Sequence, residues 1–258
     1  MLNKIIENKR KEVEMSKKNL PLPSFKHKLK NSERDFKEAI SKNKLNLIAE
    51  IKRTSPSQNI LFQKHALSQN SRRVFDIIKI YNKYADAISV LTDKKFFNGT
   101  LSDLKNISRL TKLPILRKDF IIDEYQIFES RFYNADAILL IASLFSAGQL
   151  NYFIDIAGKL KMDCLVEVNN EKELRKVLKS DATIIGINNR NLSTLKIDKE
   201  ITLKLTDKIP KNRIIVSESG IDSRDYVDKI KSKVNAILVG TLFMKSKNVE
   251  EEILLLIK

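Results

Sequence analysis

Glu50 and Lys52 stand two residues apart at the end of the apolar run LIAEI, residues 47–51. A strand places such residues on one face. An acid and a base therefore project together from a segment whose other residues call for burial. Polar groups end other apolar runs as well: Lys118 and Asp119 after PILR, Glu167 within CLVEV, Asn188 closing IIGIN, and Glu218-Ser219-Gly220 after IIVS. Each alone reads equally well as structural, Glu50–Lys52 as an ion pair plugging a sheet end and Glu167 as a partner for a helix-start amide. Together they are harder to assign to structure, because buried charge is costly unless paired. Opposite charges gathered in a partly desolvated cup shift one another's pKa values, which is what general acid–base catalysis needs.

A second constellation suggests an anion. Both SESGIDS and LVGTLF place a glycine, Gly220 and Gly240, between an apolar run and a helical one. Glycines there let backbone N–H groups approach a phosphate at a helix start. Arg190 and Ser55 are candidate additional donors, with Thr241 beside Gly240.

The elements that must carry these residues follow a rhythm. Apolar runs rich in Ile, Leu and Val occur at residues 47–51, 87–91, 114–118, 137–141, 164–168, 184–188, 214–218 and 236–240. Runs of that length and composition fit strands buried on both faces of a parallel sheet. Charged stretches with helical spacing lie between them, such as SRRVFDIIKIYNKY, DEYQIFESRFYN and NEKELRKVLKS. Eight strand–helix repeats are what a (β/α)8 TIM barrel of the α/β class needs, and such barrels carry function at the C-terminal ends of the strands. An open doubly wound sheet usually has a glycine-rich loop after its first strand; here that strand leads into KRTSPSQN. The expected organisation is one domain over residues 1–258, a helical extension at 1–44 followed by the barrel at 45–258. Leu2, Ile5, Ile6 and Val13 give the extension an amphipathic character, Leu20-Pro21-Leu22-Pro23 breaks it, and a further helical stretch follows at about 32–42. By itself it reads as an appendage.

Composition narrows the classes. No apolar run is long enough to span a bilayer, and the charged N-terminus MLNKIIENKRKEVEMSKK lacks an apolar signal core. The expectation is a cytoplasmic protein that does not bind membranes. One cysteine, Cys164, and two histidines, His27 and His65, argue against a disulfide or a Cys/His metal site. The net charge of +16 raises nucleic-acid binding, but lysines are dispersed among acids, with no arginine-rich tract or zinc pattern.

The segments IAEIKRTSPS, SVLTDKKFFNGT, LPILRKDFIIDEYQIFES, ADAILLIA, LVEVNNEKEL, IIGINNRNLSTLKID, VSESGI and AILVGTLFM resemble those of the indole-3-glycerol phosphate synthase family, in its order and spacing. The resemblance covers essentially the whole chain, and the LPLP break resembles the family's helical region before the barrel. It implies ring closure with decarboxylation and dehydration of 1-(2-carboxyphenylamino)-1-deoxyribulose 5-phosphate, in tryptophan biosynthesis, with no metal and no cofactor. Lys118 matches the general acid, Lys52 a second lysine that steers the substrate carboxylate, and Glu167 the acid–base carboxylate. Glu50 and Glu218 match supporting carboxylates, and Asn188 and Ser219 match residues holding substrate hydroxyls and carboxylate. The phosphate is expected against Ser55, Arg190, Gly220, Gly240 and Thr241, and the aromatic ring against Pro56, Phe97 and Phe120. Where the family commonly has Lys-Gly after Ser-Pro-Ser, this chain has Gln58-Asn59, which removes a cation beside an anionic substrate. The expected partner is a small phosphorylated substrate, with docking to neighbouring tryptophan-pathway enzymes left open. The nearest rival is another phosphate-binding barrel enzyme such as phosphoribosylanthranilate isomerase, which needs a cysteine and an aspartate as its acid–base pair; Cys164 begins its apolar run, at the wrong end of a strand. The rival from another class is a basic nucleic-acid-binding protein.

Overall fold

The computed structural model describes residues 1–54 and 72–257. Among them the apolar runs form strands β1 (Asn46–Ile51), β2 (Ala87–Leu91), β3 (Ile115–Lys118), β4 (Ala137–Ile141), β5 (Asp163–Val168), β6 (Ile184–Asn188), β7 (Ile214–Glu218) and β8 (Ala236–Val239). All pair in parallel in chain order, and β1 pairs with both β2 and β8, which closes the barrel. Every strand lies within one residue of the run read from the sequence. The connecting helices start where short polar side chains satisfy their free N–H groups: Thr100, Asp123, Asn170 and Ser223 each accept a hydrogen bond from the first turn of the helix that follows. No helix among the described residues is long and apolar enough to cross a membrane.

The barrel interior is a packed core of side chains in layers, drawn from alternate strands. Ile48, Leu116, Leu165 and Val216, on β1, β3, β5 and β7, belong to one interior cluster with Ala87, Ala137, Ile184 and Ala236 on the even strands. The strand period of two sends the next odd-strand layer inward as Glu50, Lys118, Glu167 and Glu218. A layer usually filled by branched aliphatics is here made wholly of charged residues. The even strands bracket it with Ser89, Leu139, Gly186 and Leu238 on one side and Leu91, Ile141, Asn188 and Gly240 on the other.

The N-terminal segment corrects the expectation of an appendage. Its first helix, α1 (Leu2–Asn19), sends Ile5 into the same interior cluster, beside Phe120 at the mouth. The chain then passes down the outside, where Phe25 packs on Tyr125 and Phe132. It turns under the barrel, where Phe36 and Ile40 are fully buried in the interior cluster. Arg34 Nε pairs with Asp136 Oδ2 at 2.7 Å and the Lys37 amide donates to Asp163 at 2.9 Å, fastening the segment to the floor. The same segment closes the floor and borders the mouth, because the barrel leaves apolar surface uncovered at both ends. The stretch expected to be helical at about 32–42 is helical only over Phe36–Ala39.

Candidate active site

Charge in the interior layer is organised around Lys118. Its ammonium donates to Glu218 Oε2 at 2.6 Å and lies 3.4 Å from Glu167 Oε2. Glu50 pairs separately with Lys52, Oε1 to Nζ, at 2.7 Å. Glu50, Glu167 and Glu218 are buried, whereas both ammonium groups keep partial access to the mouth. The structural reading of Glu50–Lys52 therefore holds as far as the ion pair goes. That pair nonetheless lines the same cavity as Lys118, Glu167, Asn188 and Glu218, so it belongs to the cluster.

Electrostatics follow from the count of three carboxylates against two ammonium groups. Burial would lower the Lys118 pKa, but Glu218, Glu167 and Glu50 more than offset it and hold the ammonium well above an ordinary lysine. Burial pushes Glu218 from 4.5 up to about 7; Lys118 opposes this, and the charges of Glu167 and Glu50 add to it. A carboxyl that binds its proton more tightly folded than unfolded stabilises the fold below its unfolded pKa, and that contribution is lost as pH rises through the folded value. The Glu218→Gln variant should therefore gain in thermal midpoint on the parent protein as pH is raised from about 5 to about 8. A difference between the two proteins that does not change with pH would contradict this assignment.

The rim beyond β6, β7 and β8 is built from backbone. Ser219 and Gly220 both adopt positive φ, 64° and 73°, a region that residues other than glycine rarely occupy. Asn189 holds this turn: its side-chain amide donates to the Ser219 carbonyl at 3.0 Å and to the Tyr226 hydroxyl at 3.1 Å, while its oxygen accepts from the Thr202 amide and hydroxyl. A Cβ on Gly220 would come 2.8 Å from Ile197 Cγ2, so both space and φ call for glycine. Asn188 Oδ1 accepts from the Arg190 amide at 2.9 Å, and the Arg190 guanidinium donates to the Leu195 carbonyl at 3.0 Å. Burial draws Arg190 below its ordinary pKa, partly opposed by Glu50. Thr241 opens a short helix, Thr241–Lys245, whose first turn no side chain among the described residues caps. Gly240 has a role that its place in a loop did not reveal: a Cβ there would lie 2.4 Å from Glu50 Oε1. Its missing side chain makes room for that carboxylate.

The apolar wall comprises Phe97 and Phe120, ring centroids 6.2 Å apart, continued by Met1, Ile5, Leu192 and Leu195. Ser55 and Pro56, and the Gln58-Asn59 departure, lie outside the described residues. The other site residues expected from sequence all border one cavity: Glu50, Lys52, Lys118, Glu167, Asn188, Glu218 and Ser219, with Arg190, Gly220, Gly240, Thr241, Phe97 and Phe120.

Sequence reasoning missed the frame around them. Lys9 of α1 is buried and pairs with Asp93 Oδ2 at 2.8 Å and Asp119 Oδ1 at 2.9 Å. Asp119 also receives Arg117 at 3.0 Å, the Thr92 hydroxyl at 2.6 Å and the Phe120 amide at 2.8 Å. The residue after Lys118 is thus pinned from four directions, and Arg117 itself is tied to Glu129 at 3.0 Å. Asp119 was visible as a polar strand end. Nothing distinguishes Lys9 from the other lysines of α1 in the sequence.

The family model described as indole-3-glycerol phosphate synthase matches residues 2–256. The chain is 43% identical over 250 residues to indole-3-glycerol phosphate synthase of Caldanaerobacter subterraneus subsp. tengcongensis, covering 95% of this chain and 93% of that protein. It is 42% identical to the tryptophan biosynthesis protein TrpCF of Buchnera aphidicola subsp. Diuraphis noxia, covering 97% of this chain but 54% of that protein. The chain thus spans about half the length of the TrpCF relatives it matches. Among solved structures, a mutant tryptophan synthase α-subunit from Pyrococcus furiosus superposes with a TM-score of 0.59 at 15% identity, over 82% of this chain and 97% of that one. That likeness is one of fold.

Proposed function

From the premise that the chain belongs to the indole-3-glycerol phosphate synthase family, we propose that its barrel mouth closes the pyrrole ring of indole-3-glycerol phosphate. The substrate is 1-(2-carboxyphenylamino)-1-deoxyribulose 5-phosphate, and carbon dioxide and water leave. The observation that carries this reading is the Lys118 ammonium, set between Glu218 and Glu167 in a barrel layer otherwise suited to aliphatics.

In the first half of the reaction an aromatic ring carbon attacks the sugar ketone, whose oxygen gains charge. Lys118 donates a proton to it. Its raised pKa does not prevent this, because an alkoxide is more basic than an amine and the flanking carboxylates keep the lysine protonated when attack begins. Loss of carbon dioxide restores the aromatic ring. In the second half, Glu167 serves as the acid–base carboxylate for loss of water, with Glu50 and Glu218 supporting the charges of Lys52 and Lys118. Lys52 steers the substrate carboxylate from the rim. Asn188 and Ser219 hold substrate hydroxyls and carboxylate, and Phe97 and Phe120 flank the ring. Arg190, Gly220, Gly240 and Thr241 receive the phosphate, a role supported by their meeting on one side of the cavity.

An isomerase of the same fold would need a cysteine acid at the mouth. Cys164 lies at the opening of β5 and packs with the core between strands and helices, and burial pushes its thiol up. A cytoplasmic location and docking with neighbouring tryptophan-pathway enzymes complete the proposal, the latter motivated by the fused TrpCF relatives.

Purified protein given the substrate should develop indole fluorescence, at a rate unchanged by a metal chelator. Absence of fluorescence would remove the proposed activity. A rate abolished by the chelator and restored by a metal would remove the acid–base mechanism.

A further inference from the structure

Gly186 lies at the centre of β6, where glycine usually weakens a strand. It faces the barrel interior, between Ile184 and Asn188, and pairs in register with Glu167 on one side and Val216 on the other. A Cβ built on it would lie 2.1 Å from Glu218 Oε1 and 3.3 Å from Glu218 Cδ. The carboxylate thus occupies the volume in which every other residue type would put its side chain. Glu218 Oε1 is buried without a hydrogen-bond partner among the described residues, while Oε2 takes the 2.6 Å bond from Lys118. Glu218 is 1% exposed, so solvent does not satisfy that oxygen. Leu165 Cδ1, 3.2 Å from the same point, closes the remaining side.

We propose that Gly186 is a positioning residue for the reaction: its missing side chain is the socket that seats one oxygen of Glu218 and so aims the other at the Lys118 ammonium. This rests on the functional reading above. The socket explains a pairing that the interior layer does not dictate. Lys118 could have centred itself among its carboxylates; instead it is drawn 0.8 Å nearer to Glu218 than to Glu167 (2.6 against 3.4 Å). A methyl group at 186 would expel Oε1, turn the carboxylate and leave Lys118 leaning on Glu167.

A four-protein comparison tests this: the parent, Gly186→Ala, Glu218→Ala and the double variant, each followed by thermal midpoint and by substrate turnover across pH. With Glu218 present, Gly186→Ala should lower kcat by ~10²-fold, the scale of a small misplacement of a catalytic group, with KM changed far less. It should also shift the pH dependence of kcat/KM, which reports ionisations of the free enzyme, because the seat that holds the Glu218 carboxyl is changed. In the Glu218→Ala background the added methyl meets no carboxylate and only Leu165 Cδ1 stays close, so the same substitution should cost far less in both midpoint and rate. That non-additivity is the signature of direct contact. Equal costs in both backgrounds, or a Gly186→Ala protein with the parent's kcat and pH profile, would overturn the proposal. If Gly186→Ala does not fold, a double variant that folds still supports the socket, and one that also fails to fold while Glu218→Ala folds refutes it. If the parent itself does not turn over the substrate, the functional reading fails, and the four midpoints still decide the socket.

Discussion

Turnover by the Lys118→Ala variant is expected to fall ~10²–10⁴-fold, the contribution of a well-placed general acid, with the barrel still folded. The removed ammonium is the shared partner of Glu167 and Glu218. Without it those carboxylates repel, and Glu218 takes up a proton more readily still, because Lys118 is what opposes its upward shift. The protein can relax that repulsion by protonating Glu218, which is why folding is expected to survive. The measurement is single-turnover formation of indole fluorescence beside a circular dichroism melt. A variant with the parent rate would remove Lys118 from the mechanism, and one that is merely unfolded would be recognised by its melt. Lys118→Arg keeps the charge but donates from a wider planar fork; a melt like the parent's without the parent's rate would separate the proton donor from the ion pair.

The second large effect is on stability. Lys9→Ala is expected to cost about 3–5 kcal/mol, the usual consequence of removing one partner from a buried ion pair. It takes the lysine from Asp93, whose side chain keeps the Phe96 amide, and leaves Asp119 with Arg117, Thr92 and the Phe120 amide. In the intact protein, burial would raise the Asp119 pKa, but Lys9, Arg117 and Thr92 hold it well below the ordinary 3.8. A depressed carboxyl stabilises the fold above its unfolded pKa and loses that contribution as pH falls through the folded one. Lys9→Ala should bring the onset of acid unfolding to higher pH as well as lower the urea midpoint. An unchanged urea midpoint at constant slope would show that α1 is not clamped through this charge. Because Asp119 directly follows Lys118, the same variant reports how far the N-terminal segment shapes the mouth.

The two halves of this network differ in how they can be read from the chain. Glu50, Lys118, Glu167 and Glu218 are conspicuous because each interrupts or ends a run that is otherwise Ile, Leu and Val. A polar residue in such a run is costly to bury and needs a reason. Lys9 has no such background: α1 is rich in Lys and Glu, and burial of one lysine depends on where the helix docks. Asn189 follows Asn188 and looks like its repeat, yet alternation turns it away from the cavity, into the scaffold that holds the Ser219 turn.

Gly186 marks the boundary between the two kinds of knowledge. Local chemistry along the chain was enough to establish eight parallel strands, their closure into a barrel, and which strand ends carry charge, because burial on two faces demands apolar runs and every exception stands out. What only the tertiary structure decided was which carboxylate meets Lys118, which glycine makes room for it, and that α1 borders the mouth. Those outcomes depend on ångström-scale distances between segments remote in sequence, and neither periodicity nor composition encodes such distances.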